Sequence, residues 1–285
     1  MAHARKSRTR PQSSWEDDEP TLSEEAGIRF LHFNSEWIQG AMRVARPSEL
    51  VLAYTQQMMA WLLFVRPGSR DNLAILGLGA GSLLRFSMRH TRSAVDTVER
   101  NPAVTAMCRA FFRLPAQERS VIHHTDALDW VADPTRAGHY RALMVDVYDS
   151  HAQGPVCDTP AFYQDCYRIL DEPGVMTVNL FGQHASFERN LQAIDHAFNG
   201  QFVCLPEVDE GNTVVLAFKG HVLSGSAQDL MDRAAALETA TRLPARRWAR
   251  SLLSQLAQTE AASGNPANGL VASQATGSHP SDGPL

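Results

Sequence analysis

The stretch Leu73-Ala74-Ile75-Leu76-Gly77-Leu78-Gly79-Ala80-Gly81-Ser82 decides the fold. A short apolar run stops at three glycines on alternate positions, and a helical pattern follows at once. This spacing predicts a buried parallel strand turning tightly into a helix, with bare backbone amides exposed at the turn. Side chains there would block a ligand or forbid the backbone angles. Glycine-rich strand ends also serve plain packing, so the motif needs its context.

That context lies downstream. Ala94-Val95-Asp96-Thr97-Val98-Glu99 reads as a second strand ending in an acid. A carboxylate at the strand tip after a glycine turn can accept from both hydroxyls of a ribose, which makes Glu99 the ribose candidate. Beyond it, strand and helix patterns alternate. Asn101-Pro102 opens a helix to about Phe112, and Ser120–His124 is a strand leading to Thr125-Asp126-Ala127. A short helix carries Trp130, and Tyr140–Val145 is a strand ending at Asp146. Thr159–Leu170 is helical, Gly174–Leu180 extended, Ala185–Phe198 helical. Phe202–Leu205 and Thr213–Phe218 close as an antiparallel pair. The alternation implies an α/β, Rossmann-like, mainly parallel sheet with helices on both faces. Ligands in such sheets sit beyond the carboxyl ends of the strands, where Gly77, Glu99, Asp126 and Asp146 all fall.

The flanks read differently. Residues 1–20 run from basic to acidic with little to bury, as a disordered arm does. Ile28–Phe33 and Glu36–Val44 pattern as a small N-terminal β-hairpin turning at Asn34-Ser35. A helix is expected from about Pro47 to Phe64. The catalytic domain is assigned to 67–220, after an N-terminal unit over 21–66. One C-terminal helix is expected within 221–260, bearing Arg246, Arg247 and Arg250 near Trp248, and a disordered tail over 261–285.

The 285 residues carry a net charge of -5, which argues against general affinity for nucleic acid or anionic membranes. Cys108, Cys157, Cys166 and Cys204 lack paired metal-ligand spacing and read as reduced thiols of a cytoplasmic protein. No secretory core follows the basic start, and no apolar run approaches the ~18 residues of a membrane span. His123, His124, His139 and His151 show no ligand spacing either, so no metal is expected. Ser82 lacks a paired His and Asp, which removes nucleophilic hydrolysis.

Asp146 and Asp149, in Val145-Asp146-Val147-Tyr148-Asp149, are the main candidates for chemistry. Two carboxylates facing one cleft can hold an ammonium group, and one can accept its proton as the amine attacks an electrophile. Proximity of the two raises one pKa, as a base requires. Helix capping or a solvated loop is the bland alternative. Asp126 is open between two roles: accepting from an exocyclic adenine amine, or capping the helix that carries Trp130.

With these segments in view, the chain resembles the spermidine/spermine synthase (polyamine aminopropyltransferase) family over roughly Gly27 to Lys219. Ile75–Gly81 resembles the family's donor loop, with Gly77, Gly79 and Gly81. Val98-Glu99-Arg100-Asn101-Pro102 resembles its ribose segment, and Thr125-Asp126-Ala127 its adenine segment. Asp146-Val147-Tyr148-Asp149 matches its two-aspartate catalytic loop. Gln39 resembles the glutamine that reaches the nucleoside, and Tyr54 lies near the family's substrate-site tyrosine. The resemblance implies a methyltransferase-type fold with an N-terminal β domain, usually a homodimer. It implies decarboxylated S-adenosylmethionine as co-substrate, putrescine or a related amine as acceptor, and no metal. Asp146 would be the base and Asp149 the partner of the ammonium.

Three departures accompany it. Ala80 stands where the family carries an aspartate that holds the aminopropyl ammonium. Val208, in Pro206-Glu207-Val208-Asp209-Glu210-Gly211, replaces a tyrosine, and Ser150 replaces a proline. Asp209 and Glu210 are therefore substrate-binding candidates, as carboxylates that compensate at the cation. The loss of the acid at Ala80 leaves a second expectation open. In it, S-adenosylmethionine keeps its carboxylate in the vacated space and the chain is a methyltransferase. A non-catalytic nucleoside- or polyamine-binding paralogue is the third.

Overall fold

A computed structural model describes residues 19–33, 37–116, 118–148, 157–209, 211–220 and 226–263, with side chains to residue 255. Asp149, Ser150 and Glu210, and the turn expected at Asn34-Ser35, lie outside them. The main sheet begins at β4 (Asn72–Leu76), the apolar run before the glycines. β4 pairs in parallel with β5 (Ala94–Val98) on one side and β7 (Tyr140–Val145) on the other. β6 (Ser120–His123) extends the sheet beyond β5, and β8 (Leu170–Phe181) follows β7, both parallel. β10 (Asn212–Lys219) then pairs antiparallel with β8 and with the short β9 (Phe202–Cys204). The resulting order is β6-β5-β4-β7-β8-β10-β9. Reversal of strand order on the two sides of β4 opens a crevice at the strand tips, where a ligand can enter.

Because alternate side chains point to opposite faces, β4 feeds two cores. Leu73 and Ile75 join the cluster containing Leu84 and Phe86 of α2 (Ser82–His90) and Val104 and Cys108 of α3 (Pro102–Phe111). Ala74 and Leu76 join the opposite one, with Trp130 of α4 (Ala127–Ala132), Phe162 of α5 (Pro160–Ile169) and Ile194 of α6 (Phe187–Ala197). A fully buried Leu or Ile contributes about 1.5–3 kcal/mol, so these faces fix the strand's register. Three helices begin as their sequences dictate. Asn101, Asp126 and Thr159 each accept a backbone N–H of the first turn, and Pro102 and Pro160 fill the position that needs no donor.

The N-terminal unit is a three-stranded antiparallel sheet, β1 (Pro20–Glu25), β2 (Ile28–Phe33) and β3 (Gly40–Arg43), in that order. β1 corrects the two-stranded reading. Thr21 to Glu25 is exposed and carries no apolar alternation, so nothing in its pattern marks a strand. It forms because Ala26 and Gly27 both adopt positive φ, +48° and +75°, and make the two-residue reversal that folds it onto β2.

Two helices are also corrected. The span 47–64 is not one helix: α1 covers only Ala53–Gln57, and Met58–Leu63 tightens into a 3-10 segment. That segment is wedged against β8, where Thr177 donates to the Met58 carbonyl at 3.0 Å. The single C-terminal helix is two, α7 (Ala227–Thr241) and α8 (Ala245–Ser263), broken at Arg242, which has φ +64°, ahead of Pro244. Leu230, Ala234, Trp248 and Leu252 bury against the 3-10 segment's cluster, while Arg246, Arg247 and Arg250 stay exposed. No helix among the described residues is long and apolar enough to cross a membrane.

Candidate active site

A cavity of about 890 Å³ opens at the tips of β4, β5, β6 and β7, roofed by the segment leading into β3. Of the residues singled out from sequence, Gln39, Tyr54, Gly77, Gly79, Glu99, Asp126, Ala127, Asp146 and Asp209 line it. Gly81 does not; it is the left-handed residue that starts α2 behind the loop.

The floor is built by close approach. Gly77 has φ +92°, and any Cβ there would collide with the carbonyl oxygen of Asp146. β4 and β7 therefore end side by side, with Asp146 N–H donating to the Leu76 carbonyl at 2.8 Å. Glu99 sits behind the loop, accepting from Asn101 N at 2.7 Å and Leu78 N at 3.3 Å. Burial raises its pKa, and those backbone donors work against the rise. Asp126 accepts from Leu128 N at 2.8 Å, so it caps α4 while also facing the cavity.

The reacting end is assembled from separate segments. Asp146 accepts from Asn179 Nδ2 at 3.1 Å and from the Tyr54 hydroxyl. Its carboxyl keeps a small opening to the cleft but is otherwise enclosed by protein. Burial pushes its pKa up to about 6 against both hydrogen bonds. The Tyr54 hydroxyl is itself raised well above 10, by burial first and then by the Asp146 charge, so it remains a donor. Tyr148 donates to the Asn179 carbonyl at 2.9 Å and holds that strand end in place. Tyr54 also donates its backbone N–H to Asp209 Oδ2 at 2.6 Å. Asp209, exposed at the mouth, thus lies one tyrosine away from Asp146. Asn179 had no sequence signal: it is one polar residue in an apolar strand, legible only once β7 and β8 are paired.

The space expected beside Ala80 does not exist. Ala80 is 2 % exposed, and a Cβ added to Gly40 would come within 2.6 Å of the Ala80 Cβ. The start of β3 rests on the glycine loop there, fastened by Ser82 Oγ to the Ala41 carbonyl at 2.9 Å. Arg85, buried below, donates to the carbonyls of Ala80, Phe112 and Pro47 and ties loop, α3 and hairpin together. Burial lowers its pKa to about 10, which leaves it charged at neutral pH.

Among the described residues, four acids face the cavity, Glu99, Asp126, Asp146 and Asp209, against one cation, Arg100. Phe33, Trp37 and Ile38 form an apolar wall opposite, with Trp37 and Ile38 exposed. An acidic pocket with an aromatic rim suits a cationic organic ligand. Among the described residues no cluster of His, Cys, Asp or Glu is arranged for a metal, and the four cysteines are unbridged.

The sheet order and the cleft at its strand tips define a Rossmann-like fold of the methyltransferase type. Among solved structures, a probable spermidine synthase from Corynebacterium glutamicum matches with a TM-score of 0.62 at 16 % identity, over 75 % of this chain and 83 % of that one. Human methyltransferase-like protein 13 in complex with SAH matches at 0.59 and 24 % identity, over 67 % and 93 %. No protein-family model matches the chain. A polyamine aminopropyltransferase of Chromobacterium violaceum is 34 % identical over 203 residues, 70 % of this chain and 76 % of the relative. The chain belongs to the polyamine aminopropyltransferase family.

Proposed function

We propose that this enzyme transfers an aminopropyl group from decarboxylated S-adenosylmethionine to putrescine or a closely related diamine. The observation that carries the proposal is Asp146: a carboxylate with a pKa raised to about 6, held by Tyr54 and Asn179 at the strand tip beside the glycine loop. A carboxylate so poised is ionised at neutral pH yet basic enough to take a proton from an amine as it reacts. The amine lone pair attacks the methylene beside the sulfonium. The carbon–sulfur bond breaks toward sulfur, methylthioadenosine leaves as a neutral thioether, and the proton shed by nitrogen goes to Asp146. The sulfonium and the acceptor are both cations, which the acidic lining favours over bulk water.

In this reading Glu99 takes the ribose hydroxyls. Gln39, Gly77, Gly79, Asp126 and Ala127 surround the nucleoside, with Gly81 shaping their loop from behind. Asp149 and Glu210, outside the described residues, are assigned by the family resemblance and its departures to the acceptor ammonium. Tyr54 supports a diamine. Its hydroxyl meets Asp146 and its backbone nitrogen meets Asp209, so the two carboxylates flank one side chain, one for the reacting amine and one for the distal ammonium.

A second reading, methyl transfer from S-adenosylmethionine, draws on the identity of Ala80, which supplies no acid from the glycine loop to hold an aminopropyl ammonium, although Gly40 closes the space beside it to a retained carboxylate. Calorimetric titration with S-adenosylmethionine, its decarboxylated form and methylthioadenosine, followed by putrescine, separates the two. Preference for the decarboxylated donor with putrescine-dependent release of methylthioadenosine supports aminopropyl transfer. Preference for the intact donor, with no such release, overturns it.

A further inference from the structure

Asp209 stands on a loop closed at its neck by backbone hydrogen bonds between Val208 and Asn212. It follows the short edge strand β9, and its own φ is +46°, a conformation few side chains adopt. The Asn212 side chain ties down the Asp209 carbonyl from within, at 2.8 Å. Residues remote in sequence fix the loop and its approach from β9, beginning with the Tyr54 N–H that meets Asp209 Oδ2 at 2.6 Å. Gln57, at the end of α1, donates to the Pro206 carbonyl at 2.9 Å. Gln57 is 4 % exposed, and its own Oε1 is buried with no partner among the described residues. Burying an orphan acceptor is unfavourable, so the contact it secures is held against a cost. From the far side, Gln255 of α8 donates to the Cys204 carbonyl at 2.9 Å. Leu205, between these two anchors, is buried in the same apolar cluster as Trp248 and Leu252 of α8.

We propose that α8 and the end of α1 form a brace for the acceptor loop, in which Gln255 and Gln57 are positioning residues that set where the Asp209 carboxylate meets the distal ammonium of a diamine. The inference rests on the proposed aminopropyl transfer and assigns α8 a role in acceptor discrimination. Neither glutamine lines the cavity, so each acts through the loop.

The test compares the full-length wild type with Gln255→Ala, Gln57→Met, Asp209→Asn and the double variant Gln255→Ala/Asp209→Asn. Steady-state release of methylthioadenosine is followed with putrescine and with 1-aminobutane, which has no distal ammonium. Methylthioadenosine affinity, measured by calorimetry, reports that the donor half is intact. Gln255→Ala and Gln57→Met are expected to raise KM for putrescine about ten-fold, with kcat and methylthioadenosine affinity within two-fold of wild type. KM for 1-aminobutane should not move, and the double variant should be no worse than Asp209→Asn, because residues acting through one contact are not additive. An unchanged putrescine KM in both glutamine variants, or equal losses for the two amines, overturns the brace. Lack of amine-dependent turnover in the wild type overturns the proposed function instead, and the brace with it.

Discussion

The two halves of the cleft are built by different means. On the side proposed for the donor, Gly77, Glu99 and Asp126 each end or follow a strand, and their partners lie close in sequence or on the neighbouring strand end: Glu99 takes Asn101 N and Leu78 N, Asp126 takes Leu128 N. On the side proposed for the acceptor the partners come from afar. Asp146 meets Asn179 from β8 and Tyr54 from α1, and Tyr54 meets Asp209 from the loop before β10. A ligand half that recognises a common nucleoside can be made from local motifs. A half that must tell one amine from another is made by tertiary convergence, where a substitution such as Val208 is absorbed without disturbing the sheet.

The sharpest way to break this contrast is Asp146→Asn, which should lower kcat by about 10²–10⁴ while methylthioadenosine binds as before; loss of donor affinity would show that the halves are not separable. Gly77→Ala attacks the seam instead. A methyl group colliding with the Asp146 carbonyl at φ +92° should cost about 3 kcal/mol or more, read by chemical denaturation, and should impair both halves together. Glu99→Gln should weaken methylthioadenosine binding about ten- to a hundred-fold with putrescine KM little changed.

Ala80→Asp sharpens the comparison from the opposite direction. Because Gly40 covers Ala80, the added carboxylate has no room in the cleft. The variant should lose about 1–3 kcal/mol of stability without gaining affinity for the decarboxylated donor. A gain would mean that the hairpin yields readily.

The smallest expected effect is on stability and pH. Asp146 titrates near 6 when folded, above its unfolded value near 3.8. A raised carboxylate pKa means that the folded state binds the proton more tightly. Its contribution is therefore favourable below about 4 and is lost as pH rises through about 6. Asp146→Asn should accordingly raise Tm at pH 7.5, by about 1–3 kcal/mol in stability, and the gain should shrink toward pH 4. In the wild type the transfer rate should climb between pH 5 and 7 as the base ionises.

How far the site was legible follows the same division. Glu99 and Asp126 could be placed at strand tips because β5 and β6 obey simple patterns. Asp126 stood even between two roles, and the structure gives it the cap while leaving it beside the cavity. Tyr54 and Asp209 entered as candidates through the family resemblance and a departure from it; that one joins the other to Asp146 could not be read from either. Asn179 escaped entirely. β1 was missed because its residues are exposed and unpatterned, and the segment after Gln57 was read as α-helix because an unbroken apolar run has no period to distinguish α from 3-10.

By itself the sequence determined the sheet, its glycine turn, the alternation that buries two cores and the row of acids at the strand ends. Those features follow from local rules: period, capping and the angles that only glycine takes freely. Only the tertiary structure decided that Gly40 seals Ala80, that Asp146 sits between Tyr54 and Asn179, and that α8 reaches the end of β9 ahead of the loop carrying Asp209. Each of those depends on the distance between residues remote in the chain, and distance is set by packing, which no local pattern encodes.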